Sequence, residues 1–119
     1  KSTNVESTLV ALKSFSQPIH LILGGRDKGF PYSPLIPLIN SKVKTVLLIG
    51  EATEKIFAEL KDVRSEIYKC DTLEQAVIKS KSVAKKGEIV LLSPACSSFD
   101  QFKNFEHRGN VFKHLVKKL

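Results

Sequence analysis

Ile19-His20-Leu21-Ile22-Leu23-Gly24-Gly25 is an aliphatic run that closes on two glycines. Apolar and polar residues do not alternate along it. A strand built from it is apolar on both faces and belongs in a sheet covered on both sides. The glycines let the backbone turn sharply where the strand ends. Two more runs share this character: residues 44–49, which end at Gly50, and residues 88–92, which lead into Ser93-Pro94. Residues 66–70 predict a shorter and weaker strand.

Helical patterns fill the gaps between these runs. Thr3-Asn4-Val5-Glu6 places a hydroxyl at an N-cap and a carboxylate three residues on, a capping box. Val5, Leu9, Leu12 and Phe15 follow at helical spacing, so a first helix is predicted over residues 4–16, closed by Pro18. Ser33-Pro34 reads as an N-cap with proline at the first helical position, and Leu35, Leu38 and Ile39 form the inner face of a short helix. Ala52, Ile56, Phe57 and Leu60 mark the next helix. Asp71-Thr72-Leu73-Glu74 is another cap signal, behind which Leu73, Ala76, Val77, Ser80, Val83 and Ala84 keep helical period. Lys85-Lys86-Gly87 ends that helix with cations and a glycine. Further on, Asp100 is placed to cap a short turn of helix carrying Phe102 and Phe105. Asn110 opens a last helix with Val111, Phe112, Leu115, Val116 and Leu119 facing inward.

Strands that lack a polar face and alternate with helices predict an α/β, Rossmann-like fold: a mostly parallel sheet of about five or six strands with helices on both faces. The 119 residues fit one domain, taken as residues 1–119. Apolar residues make up 42% and charged residues 26%, which excludes a globally disordered chain. Cys70 and Cys96 form no CxxC pair and no metal-ligand spacing with His20, His107 or His114, so no metal site is expected. Two reduced, partly buried thiols and a cytoplasmic location are expected. No apolar run approaches the ~20 residues that span a bilayer. The chain begins at Lys1 without an initiator methionine or the apolar core of a signal peptide, and reads as a piece of a longer protein.

The net charge is +7 and the pI about 9.5. This balance suits anionic partners such as nucleic acid, phosphorylated metabolites or carboxylates, or serves solubility alone. Two strand ends offer places for an anion, because open α/β sheets bind ligands beyond the carboxyl ends of their strands. The first is Gly24-Gly25-Arg26-Asp27-Lys28-Gly29, with Lys28 as a cation. It is neither a P-loop nor a dinucleotide fingerprint, and a plain turn with solvated charges is an equal reading. The second is Ser93-Pro94-Ala95-Cys96-Ser97-Ser98-Phe99-Asp100-Gln101-Phe102. Small and hydroxyl residues there precede a helix start, where free N–H groups suit a carboxylate. Ser98 is the natural donor, although a serine in such a turn more often bonds its own backbone. Phe99, Phe102 and Phe105 could stack on bases, but their spacing is more often that of core residues.

The stretch Leu92-Ser93-Pro94-Ala95-Cys96-Ser97-Ser98-Phe99-Asp100-Gln101-Phe102-Lys103-Asn104-Phe105-Glu106-His107-Arg108-Gly109 closely resembles a signature of the D-glutamate-adding Mur ligases. The Leu23-Gly24-Gly25 turn with Lys28, followed by Ser33-Pro34-Leu35, resembles a second signature of that family. Lys1-Ser2-Thr3-Asn4-Val5-Glu6-Ser7-Thr8 resembles the segment that joins its central and C-terminal domains. The resemblance implies the C-terminal, amino-acid-binding domain of an enzyme that adds D-glutamate to UDP-N-acetylmuramoyl-L-alanine in peptidoglycan biosynthesis. It implies that ATP and Mg2+ are held mainly by a central domain and UDP by an N-terminal one, both absent from this chain. An acyl phosphate forms on the muramoyl-alanine carboxylate, and the amine of D-glutamate displaces the phosphate.

By motif position, the resemblance implies that Lys28 pairs with a glutamate carboxylate. Thr3 and Ser98 donate hydroxyl hydrogen bonds, Phe105 donates a backbone N–H, and Lys1 faces the nucleotide side. No catalytic residue is expected in this fragment alone. Arg26-Asp27 departs from the smaller, acidic-then-glycine pair common in the family before the lysine. A monomer that binds neither nucleic acid nor membrane is expected. The alternative is a stand-alone basic Rossmann-like module that binds nucleic acid or a small anion.

Overall fold

The computed structural model describes residues 5–25, 29 and 31–92. The elements are α1 (Val5–Lys13), β1 (Ile19–Gly24), a 3-10 turn (Ser33–Leu35), α2 (Ile36–Lys42), β2 (Val43–Ile49), α3 (Thr53–Leu60), β3 (Glu66–Asp71), α4 (Leu73–Val83) and β4 (Ile89–Leu92). The strands pair in the order β3-β2-β1-β4, and every pairing is parallel. This is the α/β fold expected from the sequence. Among the described residues the sheet has four strands rather than five or six. The short helical turn and the last helix expected beyond residue 92 lie outside the described residues.

Side chains leave a strand on alternate faces, so an all-apolar strand feeds two cores. One core joins Leu21, Leu23, Val46 and Leu48 of the sheet to Leu12 of α1, Leu35 of the 3-10 turn, Ile39 of α2 and Ile56 and Leu60 of α3. The other joins Ile22, Leu47, Ile49 and Cys70 to Leu73, Ala76 and Val77 of α4. Among the described residues, three helices therefore cover one face of the sheet and α4 covers the other.

The helix ends depart from the sequence reading for local reasons. α1 stops at Lys13, short of residue 16; the Ser14 hydroxyl donates back to Val10 O at 2.9 Å, and its N–H bonds Ala11 O in a tight turn. Ser33 caps nothing. The residue before the 3-10 turn is Tyr32, and α2 proper begins only at Ile36, with Pro37 in its first turn. At α4 the cap is Thr72, whose hydroxyl accepts the Gln75 N–H at 3.2 Å. Asp71 before it turns the chain with φ 71°.

One polar cluster sits at the foot of the sheet, where β1 and β4 begin. His20 is 1% exposed. Its Nε2 lies 2.7 Å from Glu88 Oε1, and its Nδ1 lies 2.7 Å from the Thr45 hydroxyl oxygen. A carboxylate only accepts, so Nε2 carries the proton; in the neutral ring Nδ1 then accepts from Thr45. Glu88 Oε2 takes the Lys44 ammonium at 2.8 Å, and Oε1 also accepts the Lys85 N–H at 2.8 Å. These donors, the His20 ring first, hold the Glu88 carboxyl down at about 2 from an ordinary 4.5. A depressed carboxyl contributes stability that is fully present above its unfolded value and is lost as pH falls through the folded one. The stability difference between the native protein and Glu88→Gln is therefore expected to shrink as pH drops from about 5 to about 3. Denaturant titrations of both proteins at stepped pH measure it, and a difference that stays constant over that window would refute the linkage.

Candidate functional site

β1 leads through β2 to β3 on one side of the sheet, whereas β4 returns to its other side. The order reverses between β1 and β4. In open α/β sheets the crevice beyond the carboxyl ends at such a reversal is where ligands bind. Ile22 of β1 is the register partner of Leu92. The chain therefore enters the 93–109 stretch beside the strand whose end carries the Gly24-Gly25 turn. The two stretches singled out in the sequence, some seventy residues apart, leave neighbouring strands about 4.8 Å apart at one edge of the sheet.

That edge is stitched by backbone. Gly25 N–H donates to Ile49 O at 3.0 Å, and Gly25 O accepts the Ala52 N–H at 2.9 Å. Gly50 N–H donates to Asp71 O at 2.9 Å. Gly24 has φ 144°, and a Cβ on it would stand 2.0 Å from Ile49 O. Only glycine lets β1 and β2 close this tightly at their ends. The loop that begins here is caught again at Tyr32, which is 1% exposed and whose backbone N–H donates to Glu59 Oε1 of α3 at 2.7 Å. The Lys55 ammonium stands 5.5 Å from the Tyr32 ring centroid. Residues 26–31 thus span two fixed points, Gly25 and Tyr32.

Lys28 belongs to that loop and lies outside the described residues, as do Ser98 and Phe105 after β4 and Thr3 and Lys1 before α1. The described residues show where their segments start. The foot of the sheet is marked by the Lys42 ammonium on Phe15 O at 2.6 Å, which ties the chain leaving α1 to the start of β2. α1 also packs on the 3-10 turn that follows the Tyr32 anchor. α1 therefore runs from the carboxyl edge toward the foot, with Val5 at the end nearer that edge.

The sequence reading missed the residues that hold this frame. Glu59 and Tyr32 give no local signal, because the bond joins residues 27 apart. Glu88 had a faint one: a lone acid between Gly87 and an aliphatic run.

Some of the positive charge is used within the fold. The Lys69 ammonium pairs with Glu54 at 3.0 Å and stands 4.3 Å from the Phe57 ring centroid, Lys79 covers Tyr68 at the same distance, and Lys44 holds Glu88. Cys70 is a free, buried thiol; burial pushes its pKa up against a smaller lowering by Lys79, which suits packing rather than nucleophilic use. Cys96 lies outside the described residues. Among the described residues no three His, Cys, Asp or Glu side chains lie together to hold a metal ion. No helix among them is long and apolar enough to cross a membrane.

A family model described as Mur ligase, glutamate ligase domain, matches residues 1–96. Curated relatives match along the whole chain. A UDP-N-acetylmuramoylalanine--D-glutamate ligase of Koribacter versatilis is 54% identical over 119 residues, all of this chain and 26% of the relative. Those of Myxococcus xanthus and Salinibacter ruber are 50% and 45% identical over the same length and share. The chain spans about a quarter of the length of these relatives. The family match ends at residue 96, so residues 97–119 rest on the relatives.

The glycine turn yields a direct test. Gly24→Ala is expected to cost roughly 3 kcal/mol or more, from a positive φ and a collision with backbone. Gly29→Ala has φ 86° but no described atom within 4 Å of the added Cβ, and should cost about 1 kcal/mol. Urea midpoints compare them, and equal losses would contradict the close approach.

Proposed function

Since this chain belongs to the Mur ligase family, in its glutamate ligase domain, we propose that it binds D-glutamate for an ATP-dependent ligase that adds it to UDP-N-acetylmuramoyl-L-alanine. The observation that carries the proposal is the placement of two strand ends. The glycine turn of β1 and the end of β4 lie side by side at the reversal of strand order, the part of the sheet where this fold class takes its ligands. The D-glutamate-adding relatives match this chain through both stretches that begin there.

D-glutamate carries two carboxylates and one amine. Its recognition needs a cation and several donors, held apart on separate segments. In this proposal Lys28 pairs with one carboxylate. The Ser98 hydroxyl and the Phe105 N–H bond the other groups from the segment after β4, and the Thr3 hydroxyl does so from the segment before α1. Lys1 faces the nucleotide. The domain's task is orientation: it presents the amine to an activated carboxyl held elsewhere, and pre-paid positioning of this kind lowers a barrier substantially. The described residues do not fit ATP or Mg2+, since they offer neither a P-loop nor an acidic cluster. Both groups belong with the rest of the ligase in this reading, and residues 1–119 act as a single domain within it. A basic nucleic-acid module is the less favoured reading, because the relatives that match the whole chain are named as D-glutamate ligases.

In the full-length enzyme, Lys28→Ala and Ser98→Ala are each expected to raise the KM for D-glutamate by about tenfold or more, with UDP-substrate binding retained. Phosphate release at varied D-glutamate measures it, and near-normal KM and turnover in both variants would remove the residue assignment. Residues 1–119 alone are expected to form no product from the three substrates. Product made by the purified domain would contradict the division of labour.

A further inference from the structure

β4 contains only Ile89, Val90, Leu91 and Leu92, and among the described residues it pairs with β1 alone. All four side chains are aliphatic and half-buried. Register is ordinarily chosen by hydrophobic pattern, because a slip of one residue sends every side chain to the opposite face. Here the pattern cannot choose, since a slipped β4 would still offer aliphatic residues to both cores. Something else must set the register of this strand.

The polar cluster at the foot of the sheet does so. Glu88 precedes β4 directly, and its carboxylate is only 9% exposed. It accepts from the His20 ring of β1, the Lys44 ammonium of β2 and the Lys85 N–H of its own turn. The Ile89 N–H donates to Pro18 O at 2.9 Å, just below β1. A slip of one residue moves the carboxylate by about 3.3 Å, breaking its side-chain bonds and leaving a buried imidazole without its acceptor. Buried polar groups used to select one register among several of similar packing energy are the best-attested role of such clusters.

The same slip would shift the start of the 93–109 stretch by about 3.3 Å at the other end of the strand. We infer that Glu88, through His20, is a positioning residue for the amino-acid site: it fixes the register of β4 and so the placement of the segment that bears Ser98. The inference rests on the proposed D-glutamate site. Glu88 touches no substrate in it, since it stands at the foot of the sheet while the ligand edge lies at the other end of β4.

The test uses full-length ligase with Glu88→Ala, Glu88→Asp and Glu88→Gln, and with Glu54→Ala as a control from an exposed ion pair. Glu88→Ala should raise the KM for D-glutamate about tenfold or more while the KM for ATP stays within about twofold. Glu88→Gln keeps an oxygen that accepts from His20 and from the Lys85 N–H, and should recover most of the loss. Glu88→Asp is too short to reach both His20 and Lys44 and should fall between; it decides the matter if Glu88→Ala fails to fold. Glu54→Ala should change neither constant. An unchanged D-glutamate KM in Glu88→Ala or Glu88→Asp, or equal rises for D-glutamate and ATP, would overturn the positioning role. If wild-type enzyme makes no product from D-glutamate, the functional reading fails instead. Amide exchange at residues 89–92 then judges the register role by itself: faster exchange in Glu88→Asp than in wild type, with β2 unchanged, supports it, and equal protection overturns it.

Discussion

The described part of this domain is arranged around the burial of β1. It has a parallel neighbour on each edge and a helical layer on each face, so none of its six residues reaches solvent. A strand so placed cannot carry an unsatisfied polar group without a cost of a few kcal/mol. That requirement dictates its aliphatic sequence. It also dictates what surrounds the exception, His20, whose two ring nitrogens both find partners. Parallel neighbours demand crossovers of a dozen or more residues, which supply the helices that cover the two faces. Because β4 comes back to the free edge of β1 rather than of β3, the reversal of strand order falls at β1 itself.

The fold was legible in the sequence to the extent that its causes are local. Residues 19–25 read as a buried strand because continuous aliphatic character and a terminal glycine pair are local properties. Thr72 was visible as part of a cap for the same reason. Ser33 misled, because serine before proline is a fair helix start by composition, yet the chain leaves the Tyr32 anchor in a 3-10 turn and α2 begins only after it. What the sequence could not reveal is set by contacts across long separations. Glu88 and His20 are 68 residues apart, and Tyr32 and Glu59 are 27 apart. Of the candidate site, the two strand ends were legible, while their adjacency required the strand order.

The close approach at Gly24 shows how the carboxyl edge was built. Rather than leaving three strand ends to diverge, the chain joins Gly25 to Ile49, Ala52 to Gly25 and Gly50 to Asp71 through main-chain bonds alone. Backbone groups used this way fix Gly25, the point from which the following loop departs.

The domain thus divides its polar chemistry between the two ends of the same strands. At the foot, Glu88 accepts from donors of β1, β2 and the α4–β4 turn, three bonds that tie its carboxylate into the fold. At the carboxyl edge, main-chain bonds join the ends of β1, β2 and β3, and the segments after β1 and β4 carry residues that the proposed function implicates in binding. The strands between them are short and rigidly packed, so a displacement at the foot cannot be absorbed before it reaches the top. If the domain binds as proposed, stability and ligand placement are therefore not separable. In the proposed reading, the cluster that holds β4 in place also determines where the segment following it begins, and a site that orients one small amino acid would depend on that placement.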